Sequence, residues 1–327
     1  MSRSRPSKSL SNLEISSPVG FDLYFQNEAP SGSISHASIM ANLALANDPE
    51  AFGQRLVAMS QKKLAGGASL AIEFLARLED YTEEIIPKEN IPSILMAIFD
   101  VGDELWCHEK EMPRILGLGA YSYIMRVIYQ LSRRLSKQER FEAYRDAFSK
   151  GRALATICRE ARALAGEHGH SRVGDLRPEE QRQLSPEHEQ EIRKVVMSRV
   201  KTAAQDGSLL DSGTDFPLFF WEETEGPEKV REWVAEYVKA DKGLAAILEA
   251  FLIYVWDMNS ERRDPHVPID SLRTFVTPST IIDRARGLLR EDWLKGEQRV
   301  AVETFVRKYD DMKRAGLDPD TDTLPKP

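Results

Sequence analysis

Apolar and polar positions repeat with a helical period along most of the chain. On a wheel of about 100° per residue, Ile94, Leu95, Ile98, Phe99, Val101 and Leu105 fall within an arc of about 160°. Ser93, Asp100, Asp103 and Glu104 fall on the other side. This predicts an amphipathic helix with a solvated acidic face. Helix starts recur: Asp48-Pro49, Ser185-Pro186, Gly226-Pro227 and Thr277-Pro278 each place a capping residue before a proline suited to the first helical position. Ser136 and Glu139 have the spacing of a capping box. The pattern predicts helices over residues 34–46, 48–64, 68–86, 92–105, 113–135, 137–149, 151–165, 178–183, 186–206, 227–239, 241–257 and 278–315, the last with a break near 291–294. There is no alternating run, no Asn-Gly or Asp-Gly hairpin and no fixed-period repeat; short extended pieces are expected only near Phe21–Gln26 and Arg273–Val276. The expected fold is all-α: a multi-helix, non-repeat bundle forming one large or two closely packed helical halves.

The polar stretch between Gly166 and Gln190 divides this pattern. The expected organisation is a disordered basic tail over 1–16, an N-terminal helical half over 17–165, a polar connection over 166–185, a C-terminal helical half over 186–315 and a disordered tail over 316–327. No apolar region of the kind found in secretory signals follows the basic, Ser-rich start. The longest apolar run, Leu244–Trp256, is shorter than the roughly 20 residues of a membrane span and contains Glu249. It reads as a core helix, so no membrane insertion is expected. Two distant cysteines, Cys107 and Cys158, make no disulfide framework and fit a reducing, cytoplasmic setting.

Apolar residues supply 42% of the chain, enough for a core, and the formal net charge of −8 argues against a general nucleic-acid or membrane-surface coat. One stretch departs from that balance. Between Arg126 and Arg162, ten basic residues stand against four acidic ones, with Tyr129, Tyr144 and Phe148 interleaved. Arg133, Arg134, Lys137 and Arg140 are the candidate nucleic-acid contacts, beside the alternative of a solvated helix face or a surface for an acidic partner.

Enzymatic chemistry finds few footholds. Ile94–Asp100 resembles a strand ending in a magnesium-holding aspartate, but its Leu, Met and Ala centre favours a helix. No G-x-x-x-x-G-K-[ST] loop is present to cradle phosphates; Ala65–Leu70 lacks the lysine and Ser149–Leu154 lacks the spacing. Cys107-His108, Cys158 and Glu167–His170 do not have the paired spacings of zinc sites. No G-x-S-x-G elbow occurs. The expectation is a non-enzymatic chain without a cofactor or metal.

Several segments, in order, resemble the helical region that follows the ATPase core in the KAP family of P-loop ATPases. Ser17–Ile39, "SPVGFDLYFQNEAPSGSISHASI", resembles an F-D-x-Y-F lead-in followed by a P-x-G-x-I-S turn into a helix. "NDPEAFGQRL" fits the next helix, and "IPSILMAIFDVGDEL" resembles its apolar helix carrying the D-x-G-D pattern. Phe216–Leu252 resembles an aromatic segment ending in tryptophan, then a W-V helix, then a core helix. The resemblance covers about residues 17–310. Only sixteen residues precede Ser17, so the family's nucleotide-binding positions have no counterpart in this sequence. The resemblance implies a binding or regulatory module acting with a P-loop ATPase supplied in trans, in the setting of phage defence. Phe21, Tyr24 and Phe25, which would join the two parts, become the candidate partner-binding residues.

Overall fold

In the computed structural model the described residues are 42–62, 70–71, 74–75, 78, 86–107, 120–164, 184–210, 216–251 and 277–322. Of these, 78% are helical and none belongs to a strand, which makes the described chain an all-α, multi-helix protein. In chain order the helices are α1 (Pro49–Ser60), α2 (Ile91–Cys107), α3 (Ala120–Ser132), α4 (Lys137–Lys150), α5 (Leu154–Leu164), α6 (Pro186–Asp206), α7 (Phe216–Glu225), α8 (Pro227–Tyr237), α9 (Asp241–Phe251), α10 (Pro278–Leu288) and α11 (Gly296–Arg314). The described residues divide into two compact units, Met1–Val195 and Val196–Pro327, with the change falling inside α6.

Local chemistry accounts for where several of these helices begin. Asp48 accepts the Ala51 amide at 3.1 Å with Pro49 behind it, and Ser185 accepts the His188 amide at 3.3 Å. Before α4, Ser136 and Glu139 exchange both bonds of a capping box. Thr277 and Gly226 precede their prolines without a side-chain cap. Ser279, in the first turn of α10, instead donates its amide at 2.8 Å to Asp320, from beyond the end of α11. The segment from Gly316, whose composition reads as a disordered end, runs as a hydrogen-bonded turn as far as Asp322, with Asp320 serving the start of α10 and Asp322 accepting the Asp318 amide.

In the first unit α2 is central. It packs against α1, α3, α4 and α5. Its face Ile94, Leu95, Ile98, Phe99, Val101 and Leu105 is buried as the wheel predicts. Phe99 meets Phe148 edge-on at 4.8 Å and Tyr144 at 6.0 Å. In the second unit α9, α10 and α11 pack together around Leu244, Leu248, Ile282, Val302 and Phe305. Arg284 of α10 ties them to α8: its guanidinium donates to the Val238 and Lys239 carbonyls and to Asp241 at the start of α9.

One helix, α7, departs from expectation, because residues 216–225 were not predicted as helical. Phe216, Pro217, Leu218, Phe219, Phe220 and Trp221 are all buried. The apolar residues fill the first half of α7 without interruption and the polar ones, Glu222–Glu225, fill the second half, so the sequence shows no helical alternation that periodicity could reveal.

Candidate functional site

The acidic face of α2 is not the solvated surface its wheel suggests. Asp100 receives Arg152 through both carboxylate oxygens, at 2.9 and 2.8 Å, and also accepts the Arg152 amide at 3.2 Å. Hydrogen bonding to Asp100 holds the Arg152 guanidinium above its ordinary range. Asp103 accepts the Ala155 and Thr156 amides at 3.0 and 2.9 Å and the Thr156 hydroxyl at 2.8 Å. It therefore caps α5 from a neighbouring helix, satisfying donors that the first turn of any helix leaves open. Glu104 alone of the three is exposed. The expected solvated face is thus corrected: two of its carboxylates are structural ligands for the turn between α4 and α5.

The basic stretch is also largely engaged in local structure. Arg140 donates to the Ser132 and Leu135 carbonyls at 2.8 and 3.1 Å, closing the α3–α4 turn. Arg134 donates to the Ile86 carbonyl at 2.7 Å. Arg133 and Lys137 stand exposed at the same turn. The structure thus brings the four predicted contacts to one corner, with two guanidinium groups directed at backbone. Further along, Lys150 pairs with Asp146 at 2.5 Å, and Arg145 lies 3.7 Å from Glu191. Phe21, Tyr24 and Phe25 lie outside the described residues, as do His108 and Glu167–His170. Cys107 ends α2, and Cys158 is a fully buried thiol. Among the described residues no cluster of metal-ligating side chains occurs.

The second unit carries a feature that sequence reasoning did not single out. Trp221 of α7 lies 6.0 Å from Trp233 of α8, which in turn stacks on Tyr237 at 4.5 Å. Trp233 anchors to α6 by donating to the Ala204 carbonyl at 3.2 Å. Gly226 makes the tight α7–α8 turn with φ of 92°, a conformation glycine adopts without strain. The three helices leave an open depression of about 520 Å³ lined by Lys201, Ala204, Gln205, Trp221, Glu225 and Lys229. Glu225 accepts both the Trp221 indole N–H at 3.0 Å and Lys201 at 2.5 Å. The Lys201 bond, more than any other influence, holds its carboxyl below the usual range. The floor is therefore a fixed indole with its polar edge satisfied, and the rim holds two ammonium groups. Trp233 and Tyr237 are four apart and their stacking is legible in sequence; Trp221 joins them only through the fold.

Compared with family models, with curated proteins and with solved structures, the chain matches none. No described helix is long and apolar enough to cross a membrane.

Proposed function

We propose that the chain is a non-enzymatic helical binding module that acts with a separately encoded P-loop ATPase, as its resemblance to the C-terminal region of KAP-family ATPases implies. The observation that carries the binding reading is the depression over Trp221. Trp221 is itself buried at the floor, and Trp233 and Tyr237 beside it are partly exposed; aromatic residues of this kind dominate the energetics of protein interfaces. Lys201 and Lys229 at the rim already pair with Glu225 and Glu232, so a partner segment would engage the depression chiefly through an apolar anchor seated over the indole. In the first unit, Asp100 and Asp103 support a scaffold role, since Arg152 and the α5 amides occupy them.

The test is retention of a partner from native extract on the tagged chain, run beside a Gln205→Arg variant. Gln205 is exposed at the depression, so the longer side chain obstructs the pocket without disturbing the core. The expected result is a P-loop ATPase retained by the native chain and lost from the variant, with the two melting curves coincident. A parallel pair, Phe21→Ala and Phe25→Ala, tests the other candidate contact: loss of the complex at an unchanged melting temperature assigns those aromatics to docking. Failure to retain an ATPase overturns the proposal. Retention of nucleic acid instead, falling steeply with added salt, supports the alternative through Arg133, Arg134, Lys137 and Arg140.

A further inference from the structure

Among the described residues, Glu160 is a fully buried carboxyl with one oxygen unpartnered. It sits in α5 on the apolar face that also carries Ile157, Ala161 and Leu164, and it is fully buried. One carboxyl oxygen accepts the Tyr144 hydroxyl at 2.9 Å, from α4, and Tyr144 is itself fully buried. The other oxygen has no hydrogen-bond partner. Native proteins rarely leave a buried carboxyl oxygen unsatisfied, because an unpaired charge in an apolar seam is strongly disfavoured.

Charged and titratable groups face the pair from several elements. On α5, Arg159 is the neighbour whose charge acts on Glu160. Arg162, on the same helix, is buried. On α4, Arg140 lies near Tyr144, but its guanidinium donates to the Ser132 and Leu135 carbonyls. On α3, Ser132 hydrogen-bonds Tyr144, and Tyr129 lies near Arg140. From α2 comes the apolar ring of Phe99, while Asp100 and Asp103 are bonded to Arg152 and the α5 amides. From the first turns of α6, His188 stacks on Phe141 of α4, and Glu191 lies by Arg145.

We propose that the Tyr144–Glu160 pair is a proton-operated latch between α4 and α5: the seam closes around the neutral carboxyl and loosens when that carboxyl ionises. Burial pushes the Glu160 carboxyl up to about 7, against the opposing Tyr144 hydrogen bond and the Arg159 charge. An opened seam returns it to the ordinary 4.5. Because the closed state holds its proton more tightly, the closed seam is fully favoured below 4.5 and loses that advantage as pH rises through about 7. Near neutrality, a small pH change therefore alters how firmly α5 is held in the first unit.

The experiment is amide hydrogen exchange of α5 in the full chain, corrected for intrinsic base catalysis, from pH 4.5 to 9. The expected opening constant rises about tenfold per pH unit up to pH 7 and levels off above it. Glu160→Gln is expected to flatten the profile. Tyr144→Phe removes the bond that lowers the carboxyl's pKa, so its plateau is expected at higher pH. A flat native profile, or an unaltered rise in Glu160→Gln, overturns the latch. Should Glu160→Gln fail to fold, Tyr144→Phe decides: a displaced plateau supports the latch, and an undisplaced one overturns it.

Discussion

At the scale of single residues, Asp103 shows how position on a helical wheel differs from environment. It shares a polar face with Glu104, yet its two oxygens bind two amides and a hydroxyl of α5, whereas Glu104 is exposed. Loss of an N-terminal cap costs about 0.5–2 kcal/mol, and these donors are partly buried, so little water replaces the carboxylate. Asp103→Ala is therefore expected to lower stability by about 1–2 kcal/mol. Glu104→Ala should stay within about 0.5 kcal/mol, as exposed substitutions do. Urea midpoints of the two variants at equal slope check the contrast; equal midpoints would return Asp103 to the solvent. This role was not legible in the sequence, because the amides it caps lie 52 and 53 residues further along. The apolar half of the same helix was legible, because burial of Ile94, Ile98 and Phe99 depends only on their spacing.

At the scale of elements, helix starts were the most readable feature because they are set by chemistry within four residues. Asp48-Pro49, Ser185-Pro186 and the Ser136–Glu139 box all appear where the sequence places them. The break between α10 and α11 also falls close to the predicted one. What spacing could not supply is how closely elements cross. Gly151 ends α4, and a Cβ there would lie 2.6 Å from the Phe99 carbonyl oxygen and 2.8 Å from that of Ala147. Both are backbone atoms that cannot swing away, and the neighbouring Ala153 amide is already bonded to Phe99 at 2.9 Å. Gly151→Ala is expected to push the α4–α5 turn off α2 at a cost of about 1–3 kcal/mol, the range for overpacking. Gly287 is the counterexample in α10: a Cβ there meets nothing within 4 Å. Gly287→Ala is expected to be neutral or to stabilise by up to about 1 kcal/mol through helix propensity. Chemical denaturation of both variants tests the pair, and a stabilising Gly151→Ala would contradict the close crossing.

At the scale of the whole molecule, the remaining question is whether any part of the 327 residues holds a nucleotide. Three features argue against it independently. The sequence contains no lysine-bearing phosphate loop, so no run of backbone amides is preset for a triphosphate. The net charge of −8 disfavours a polyanion unless a local site offsets it. The carboxylates that most resemble magnesium ligands, Asp100 and Asp103, are bonded to Arg152 and the α5 first turn, and releasing them would sacrifice those bonds. A thermal melt addresses every residue at once, since any site that binds the folded state raises the transition wherever it lies. At a hundredfold excess over Kd a ligand stabilises by about 2.7 kcal/mol, and each kcal/mol moves the melt by about 2–4 °C in chains of 150–250 residues. With about 1 mM Mg-ATP, a site of about 10 µM affinity would therefore shift the transition by several degrees. The expected outcome is coincident melting curves with and without Mg-ATP. A reproducible upward shift that vanishes when ATP is replaced by magnesium alone would establish a nucleotide site and displace the binding-module reading in favour of an enzymatic or nucleotide-sensing one.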